Sequence, residues 1–519
     1  MSRLRVGDLL AHNAASRPDE LAVIEPGGAS LTWAELDDAA HRLAAGLSGL
    51  GLKRGDRVAT VVRNGAGAVE ALFASAKAGF LGVPVNYGLT VSEVRAILED
   101  SRPHAILVDR AFVDSLGDVM ASAGVPVVVR GGIEGLARDW HDADALKLTG
   151  GTYDAGAVSP DDLRTIRYTS GTTAAPKGCL STHSQILASI ANFYRELDVP
   201  AAPFLQLLPL FSGAGIWMAF AAAYHGVANV IPESFRPADA LEAIGRYRVG
   251  HACGVPTMLG RMCEAFEAGD YDVSSLKLFG YTGSPMPPAV IRRALGLLPW
   301  SFYQGFGGGE MGGLVSYLKP EDHPRTLDDE AGLARLSTVG RPALYAEVVI
   351  RSLQDGSPAI RGEAGEITVR SPSNFSGYLN RPDETATTLR GEWVHSGDVG
   401  YFDAEGLLHV VDRVKDMVLS GGMNISSAEV EGVLMDHPAV KAAAVFGVPN
   451  DDWGELVTAA VIAKPGESVS ETDLIAFARL KLAGYKAPKA VKFVDDFPMN
   501  AAGKILKREL RQRFATATA

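Results

Sequence analysis

The sequence predicts an α/β protein of more than one domain, and three observations lead there. Strand-like and helix-like stretches alternate at short intervals through the N-terminal half, the pattern of parallel sheets covered by helices. After about residue 340 the texture changes to short alternating strands with Gly, Pro and Asp turns, as in a small antiparallel barrel or sheet. A chain of 519 residues is also too long for one compact core.

The elements follow in order. Residues 6–16 and 32–50 carry apolar residues at helical spacing, and Thr32 with Glu35 makes a capping box for the second. Arg57–Arg63 reads as a strand, 66–79 as a helix, Leu81–Val85 as a strand, 91–100 as a helix, and 105–108 and 125–129 as strands. The pattern resumes with strand Leu163–Tyr168, helix 184–196, strand 204–208, an apolar helix near 216–225, strand 228–231 and helix 237–247. Strands at 251–255, 276–279 and 300–303 come next, then the alternating strands 346–351 and 365–370. The charged segment Asp412-Arg-Val-Lys-Asp416 leads into a βαβ-like tail, with helices at 428–436 and 471–482 and strands at 440–448 and 457–463. The domain boundary is placed there, giving domains 1–412 and 413–519.

Composition narrows the function. Hydrophobic residues make 47% and charged residues 21% of the chain, as in soluble globular proteins. The net charge of −12 argues against a general binder of nucleic acid or anionic membrane. The three cysteines, Cys179, Cys253 and Cys263, form neither a disulfide framework nor a zinc cluster, and Cys179 reads as a buried small residue. With no signal peptide or apolar span in the sequence, the expected compartment is the cytoplasm.

Five segments carry chemistry. Thr169-Ser-Gly-Thr-Thr-Ala-Ala-Pro-Lys-Gly178 crowds hydroxyls and a glycine ahead of Lys177, between a strand and a helix-like run. Backbone N–H groups, hydroxyls and one lysine suit phosphate oxygens, although the Walker spacing is absent. Gln304-Gly-Phe-Gly-Gly-Gly-Glu-Met-Gly-Gly313 contains G-x-G-x-x-G. The residues after it read as strand rather than helix, so a dinucleotide site is rejected. Its glycines would let backbone lie flat against a ligand, and Glu310 is the charged group there, suited to a metal ion or a water. His395-Ser-Gly-Asp398 offers an aspartate for a ribose diol or a plain turn. The segment 412–429 and the turn Asn500-Ala-Ala-Gly-Lys504, before a Lys/Arg-rich tail, complete the set.

Together and in this order these segments resemble the adenylate-forming superfamily: acyl- and aryl-CoA ligases, peptide-synthetase adenylation domains and luciferases. The resemblance spans essentially the whole chain. Leu208-Pro-Leu-Phe211, Tyr281-Thr-Gly-Ser-Pro-Met286, Gly377-Tyr-Leu-Asn-Arg-Pro-Asp383, Gly391–Asp398 and Ala444–Asn450 with Gly454-Glu455 extend it. It implies a large domain of two doubly wound α/β subdomains with a small barrel-like region, and a small mobile α+β C-terminal domain. It implies ATP, Mg²⁺ and CoA, with a carboxylate attacking the α-phosphorus and a thiol then displacing AMP. By position, Thr169, Ser170, Gly171, Thr172, Thr173 and Lys177 would clasp the phosphates. Glu310 would hold Mg²⁺. Gly283, Ser284 and Pro285 would border adenine, and Gly307 would be cofactor-binding. Asp398 would bind the ribose, supported by Arg413. Lys504 would bridge carboxylate and α-phosphate, Lys415 would be the hinge, and Gly421 and Gly422 would line a thiol tunnel.

Three departures fall on the loop and the substrate side. Ala174 replaces a usual glycine, Gly309 a threonine, and Ser212 the histidine frequent in CoA ligases or the aspartate of amino-acid-activating domains. An α-amino acid substrate is therefore disfavoured. Phe211, Ser212, Trp217, Val255, Met258, Tyr281, Phe306, Gly309 and Met311 are the candidate pocket residues. Their aromatic and thioether content suits an apolar or aryl acid. CoA is the favoured acceptor. A carrier-protein thiol, or nitrite and an aromatic amine as in ATP-dependent diazotases, is the alternative, and a non-catalytic nucleotide-binding relative is the second. The sequence leaves the acid and the oligomeric state open.

Overall fold

The computed structural model describes residues 4–136, 139–169, 176–324, 326, 328–420, 423–450, 453–499 and 505–515. The described residues divide into two compact units. One holds the chain to Thr169, on to Val348, and Val369–Val394. The other holds Val349–Thr368 and the chain from His395. The boundary placed at 412–413 lies inside the second unit.

The first unit contains two large mixed sheets among the described residues. The nine-stranded one runs, edge to edge, through Arg341–Pro342, Gly313–Leu318, Ser301–Gly308, Leu278–Thr282, His251–Gly254, Phe204–Gln206, Asn229–Val230, Leu21–Ile24 and Ser30–Thr32. The six strands from Ser301–Gly308 to Leu21–Ile24 are parallel and the edges antiparallel. The eight-stranded one runs through Gly377–Tyr378, Lys177–Thr182, Leu163–Thr169, Leu81–Pro84, Arg57–Val61, Ala105–Asp109, Val127–Arg130 and His141–Asp142. Helices cover these sheets because the parallel strands are buried on both faces: Ala105–Asp109 and His251–Gly254 are buried throughout. Thr32 and Glu35 form the expected capping box at the helix Trp33–Gly49.

One sequence expectation needs correction. The hydroxyl-rich loop does not open onto a helix. Lys177–Thr182 is a strand, paired antiparallel with Leu163–Thr169 so that Thr169 faces Lys177. The helix His183–Glu196 starts only after it, capped by Thr182. The strand was unread because Lys-Gly-Cys-Leu-Ser-Thr lacks a β-branched run. Its stability comes from pairing on both sides, with Gly377–Tyr378 as the second neighbour.

A smaller five-stranded sheet includes Glu347–Arg351, Gly365–Arg370, Trp393–Phe402 and Leu408–Arg413. In the second unit, Val440–Asn450 and Gly454–Ala463 form a long antiparallel pair. A parallel crossover follows through helix Glu471–Lys481 to Ala490–Phe493, a strand the sequence reading missed. The tail is therefore a hairpin plus one βαβ unit. Its core packs Val418, Val430, Leu434, Val445, Val457 and Leu474 between sheet and helices.

Candidate active site

The strands Leu163–Thr169 and Lys177–Thr182 hold the two ends of the hydroxyl loop at fixed spacing. Ser170, Gly171, Thr172 and Thr173 lie outside the described residues, as do Gly421, Gly422 and Lys504, and so does the Thr169 side chain. Lys177 is half-buried. Its ammonium pairs with Glu384 and lies 5.1 Å from the centre of the Tyr378 ring. The Tyr378 hydroxyl donates a 2.7 Å hydrogen bond to Glu310 Oε1. Burial, with the Glu310 carboxylate second, raises the Tyr378 phenol well above its usual range. It therefore remains a donor at any working pH. Tyr378 thus joins the lysine of one candidate motif to the glutamate of another.

Glu310 sits in the turn between Ser301–Gly308 and Gly313–Leu318, an antiparallel pair. This confirms that a strand follows the glycines. The turn is fixed by its glycines and by a neighbouring segment. A Cβ at Gly307 would fall 1.8 Å from Gly313 O, so that glycine serves close strand approach rather than a flat ligand face. Gly312 has φ +71°, and a Cβ there would fall 1.6 Å from Ser373 O. Phe375 N–H donates to Glu310 O at 2.9 Å, and Ser373 Oγ donates to Met311 O at 3.0 Å. Gly312→Ala is expected to destabilise the unit by about 2–3 kcal/mol through overpacking and a disfavoured φ. It should also displace Glu310. Chemical denaturation checks this, and an unchanged midpoint would contradict it.

A single carboxylate can serve Mg²⁺ only where phosphates and water complete the shell. No group of three or more His, Cys, Asp or Glu suited to a metal occurs among the described residues. Glu310 fits that limited role: one oxygen is held by Tyr378, and the carboxylate is oriented by it.

The candidate pocket residues divide. Phe211 packs edge-on against Tyr87, with centroids 5.1 Å apart. Ser212 caps the helix Gly213–His225, accepting from Gly215 N at 3.0 Å and donating to Pro209 O at 2.7 Å. Trp217 donates to Ser189 Oγ at 3.1 Å. Val255 precedes helix Pro256–Ala268, and Gly283 follows strand Leu278–Thr282 with φ +90°. A Cβ at Gly283 would lie 3.4 Å from Val255 Cγ1, so the adenine-side turn and Val255 are neighbours. Ser284 and Pro285 are exposed in that turn. Phe306 is half-buried, Met311 buried, and Met258 packs partly against the core. Tyr281 is fully buried in that core, its hydroxyl 2.9 Å from His323 Nε2. Its side chain is a core residue.

In the second unit Asp398 and Arg413 face each other across Trp393–Phe402 and Leu408–Arg413. Arg413 Nε lies 2.7 Å from Asp398 Oδ1. Asp398 is buried and its N–H donates to Ser396 Oγ. Lys415 lies exposed in the turn after Arg413. Asp412, next to Arg413, caps helix Ser427–Met435 by accepting from Ser427 N at 2.5 Å and from its hydroxyl at 2.8 Å. Met499 and Ile505 form an antiparallel bridge on either side of the segment holding Lys504.

Sequence reading missed three residues here. Tyr378 stands inside Gly377–Asp383, where nothing in the sequence marks a role for it. Glu384 carried no signal. Arg167, on strand Leu163–Thr169, was read only as a strand residue. Its guanidinium donates to Ser181 Oγ at 3.0 Å and to Gly309 O at 3.3 Å.

The chain matches the AMP-binding enzyme family over residues 10–379 and the AMP-binding enzyme C-terminal domain over residues 429–504. It is similar to a feruloyl-CoA synthase of Amycolatopsis sp, 35% identical over 521 residues, covering 98% of this chain and 99% of that protein. The o-succinylbenzoate CoA synthetase of Bacillus subtilis, solved with its acyl-adenylate intermediate, is similar in structure with a TM-score of 0.84. Identity is 28%, and the match covers 98% of this chain and 99% of that one. The amide bond synthetase McbA of Marinactinospora thermotolerans matches at TM-score 0.84 and 30% identity, covering 98% of this chain and 100% of that one. No helix among the described residues is long and apolar enough to cross a membrane. With a lysine and a glutamate converging on Tyr378, a paired Asp398 and Arg413, and both family models matched along its length, the chain belongs to the adenylate-forming superfamily, as an AMP-binding enzyme of the acyl/aryl-CoA synthetase type.

Proposed function

We propose that the chain adenylates an apolar carboxylic acid, aromatic acids included, with ATP and passes the acyl group to CoA, releasing AMP and pyrophosphate. The observation that carries this is the convergence of Lys177 and Glu310 on Tyr378 at the end of the hydroxyl loop. An anion must approach a polyanion, so the protein's task is positive charge and fixed donors rather than a covalent intermediate. Thr169, Ser170, Gly171, Thr172, Thr173 and Lys177 hold the β- and γ-phosphates. Glu310 holds Mg²⁺, which when bound neutralises phosphate charge. Gly283, Ser284 and Pro285 border the adenine. Asp398 accepts from the ribose hydroxyls while Arg413 orients it. Lys504 bridges carboxylate and α-phosphate. Residues 1–412 and 413–519 act as two domains turning about Lys415, which brings Gly421 and Gly422 to the thiol path. Phe211, Trp217, Phe306 and Met311 offer the apolar wall for the acid.

The similarity to an amide bond synthetase supports a second reading, in which the acyl adenylate goes to an acceptor other than CoA. A pyrophosphate-release screen over aromatic and medium-chain acids, with and without CoA, separates the two. The first reading expects pyrophosphate and a CoA thioester from at least one acid. Pyrophosphate without thioester supports the second, and no pyrophosphate with any acid removes both.

A further inference from the structure

We propose that Arg167 is a substrate-binding residue: its guanidinium takes the carboxylate of the acid that is to be adenylated. This rests on the adenylation reading above and assigns a residue within it.

Arg167 and Tyr168 are adjacent in one strand and point to opposite faces, as strand neighbours must. Tyr168 reaches Asp100 on its side. Arg167 reaches the side where the Glu310 turn and the helix Gly213–His225 lie. One terminal nitrogen, Nη2, is held by Ser181 Oγ and Gly309 O. The other, Nη1, faces the helix start: a Cβ at Gly213 would lie 2.9 Å from it. Nε is buried without a hydrogen-bond partner. Among the described residues no carboxylate forms an ion pair with this cation.

A half-buried guanidinium without a carboxylate in direct contact is costly unless an anion completes it. Burial pushes Arg167 below its usual range, opposed by the neighbouring Cys179 and Glu310 side chains. Two of its hydrogen bonds fix the plane of the fork, and the third side is directed to a helix N-terminus, where anions are favoured. Neither departure position beside it offers a competing side-chain donor. Gly309 has no side chain, and the Ser212 hydroxyl already donates to Pro209 O. Of the three departures from the family pattern, Gly309 touches this cationic donor through its carbonyl, and Ser212 immediately precedes Gly213, which faces it. A carboxylate meeting this fork gains charge-assisted hydrogen bonds that ATP, held by the neighbouring loop, does not require.

The test uses the full-length enzyme and an acid for which the wild type releases pyrophosphate, so failure of the adenylation reading would show first and separately. Arg167→Gln is expected to raise KM for the acid about tenfold to a hundredfold, the size of charge-assisted hydrogen bonds lost. KM for ATP should stay within about twofold, and methylguanidinium should restore part of the activity of Arg167→Ala. An unchanged KM for the acid, or a rise confined to ATP, would overturn the assignment. Should Arg167→Gln fail to fold, Gly213→Ala replaces it. That methyl crowds Nη1 on a helix start that accepts alanine, and it should raise KM for the acid severalfold at unchanged melting temperature. An unchanged KM in that variant overturns the proposal equally.

Discussion

Lys504→Ala is expected to slow adenylate formation about a hundredfold to a thousandfold, the loss typical of removing one preorganised donor from a developing charge. The same variant should form thioester from a supplied acyl adenylate at the wild-type rate. The reason is electrostatic. A carboxylate has to reach the α-phosphorus against the charge of the triphosphate, and a cation bridging the two lowers that barrier. In thioester formation the thiol attacks the acyl carbonyl carbon and AMP leaves, so no carboxylate has to approach a triphosphate, and on this assignment the lysine is not needed there. Pyrophosphate exchange measures the first step, and thioester assay from synthetic adenylate the second. Equal impairment of both would remove the assignment of Lys504 to the first step.

Acidification below neutrality is expected to destabilise the first unit steeply. His183, His251 and His323 are buried as neutral imidazoles. Burial first, and Arg164 second, holds His183 down to about 3. Burial first, then His225, holds His251 down to about 3. Burial lowers His323 to about 4, against its bond to Lys319 O. In the unfolded chain each titrates near 6.5. Between about pH 6.5 and 4 the unfolded state therefore binds protons that the folded state refuses. The stability these groups contribute is complete above about 6.5 and is lost as pH falls toward the folded values. Each site costs about 1.4 kcal/mol per pH unit in that window, and the three together about 4 kcal/mol per unit at the steepest. Urea midpoints at pH 7.5, 6.5 and 5.5 read this directly, and a flat series would show the imidazoles are protonated in the fold. His323→Gln should remove about a third of the slope.

Much of this was legible in the sequence because local rules govern it. The alternation of apolar strands with amphipathic helices, and the box Thr32–Glu35, depend on neighbours a few residues away, and both stand in the structure. Strand Gly313–Leu318 was legible from its own composition and excluded a dinucleotide fingerprint. Lys177–Thr182 was not, because its two partner strands rather than its residues make it extended. Helices Pro256–Ala268 and Pro288–Leu297 begin on prolines, which read locally as breaks but cost nothing in a first turn, where the missing N–H has no partner to lose.

The sequence by itself determined the family's motifs and hence the kind of chemistry, since Lys177, Glu310, Asp398, Arg413 and Lys504 each stand in a recognisable short segment. Only the tertiary structure decided which of them meet. Glu310 and Tyr378 are 68 residues apart and share a hydrogen bond because separate strands end beside one another. Tyr281 went to the core because its strand is interior to a nine-stranded sheet. Arg167 acquired its place beside Gly309 and Gly213 through the pleat, which turns alternate side chains to opposite faces whatever motif they belong to. Short motifs survive in one dimension because one loop makes them. A pocket is made by many elements at once, so its residues become neighbours only on folding.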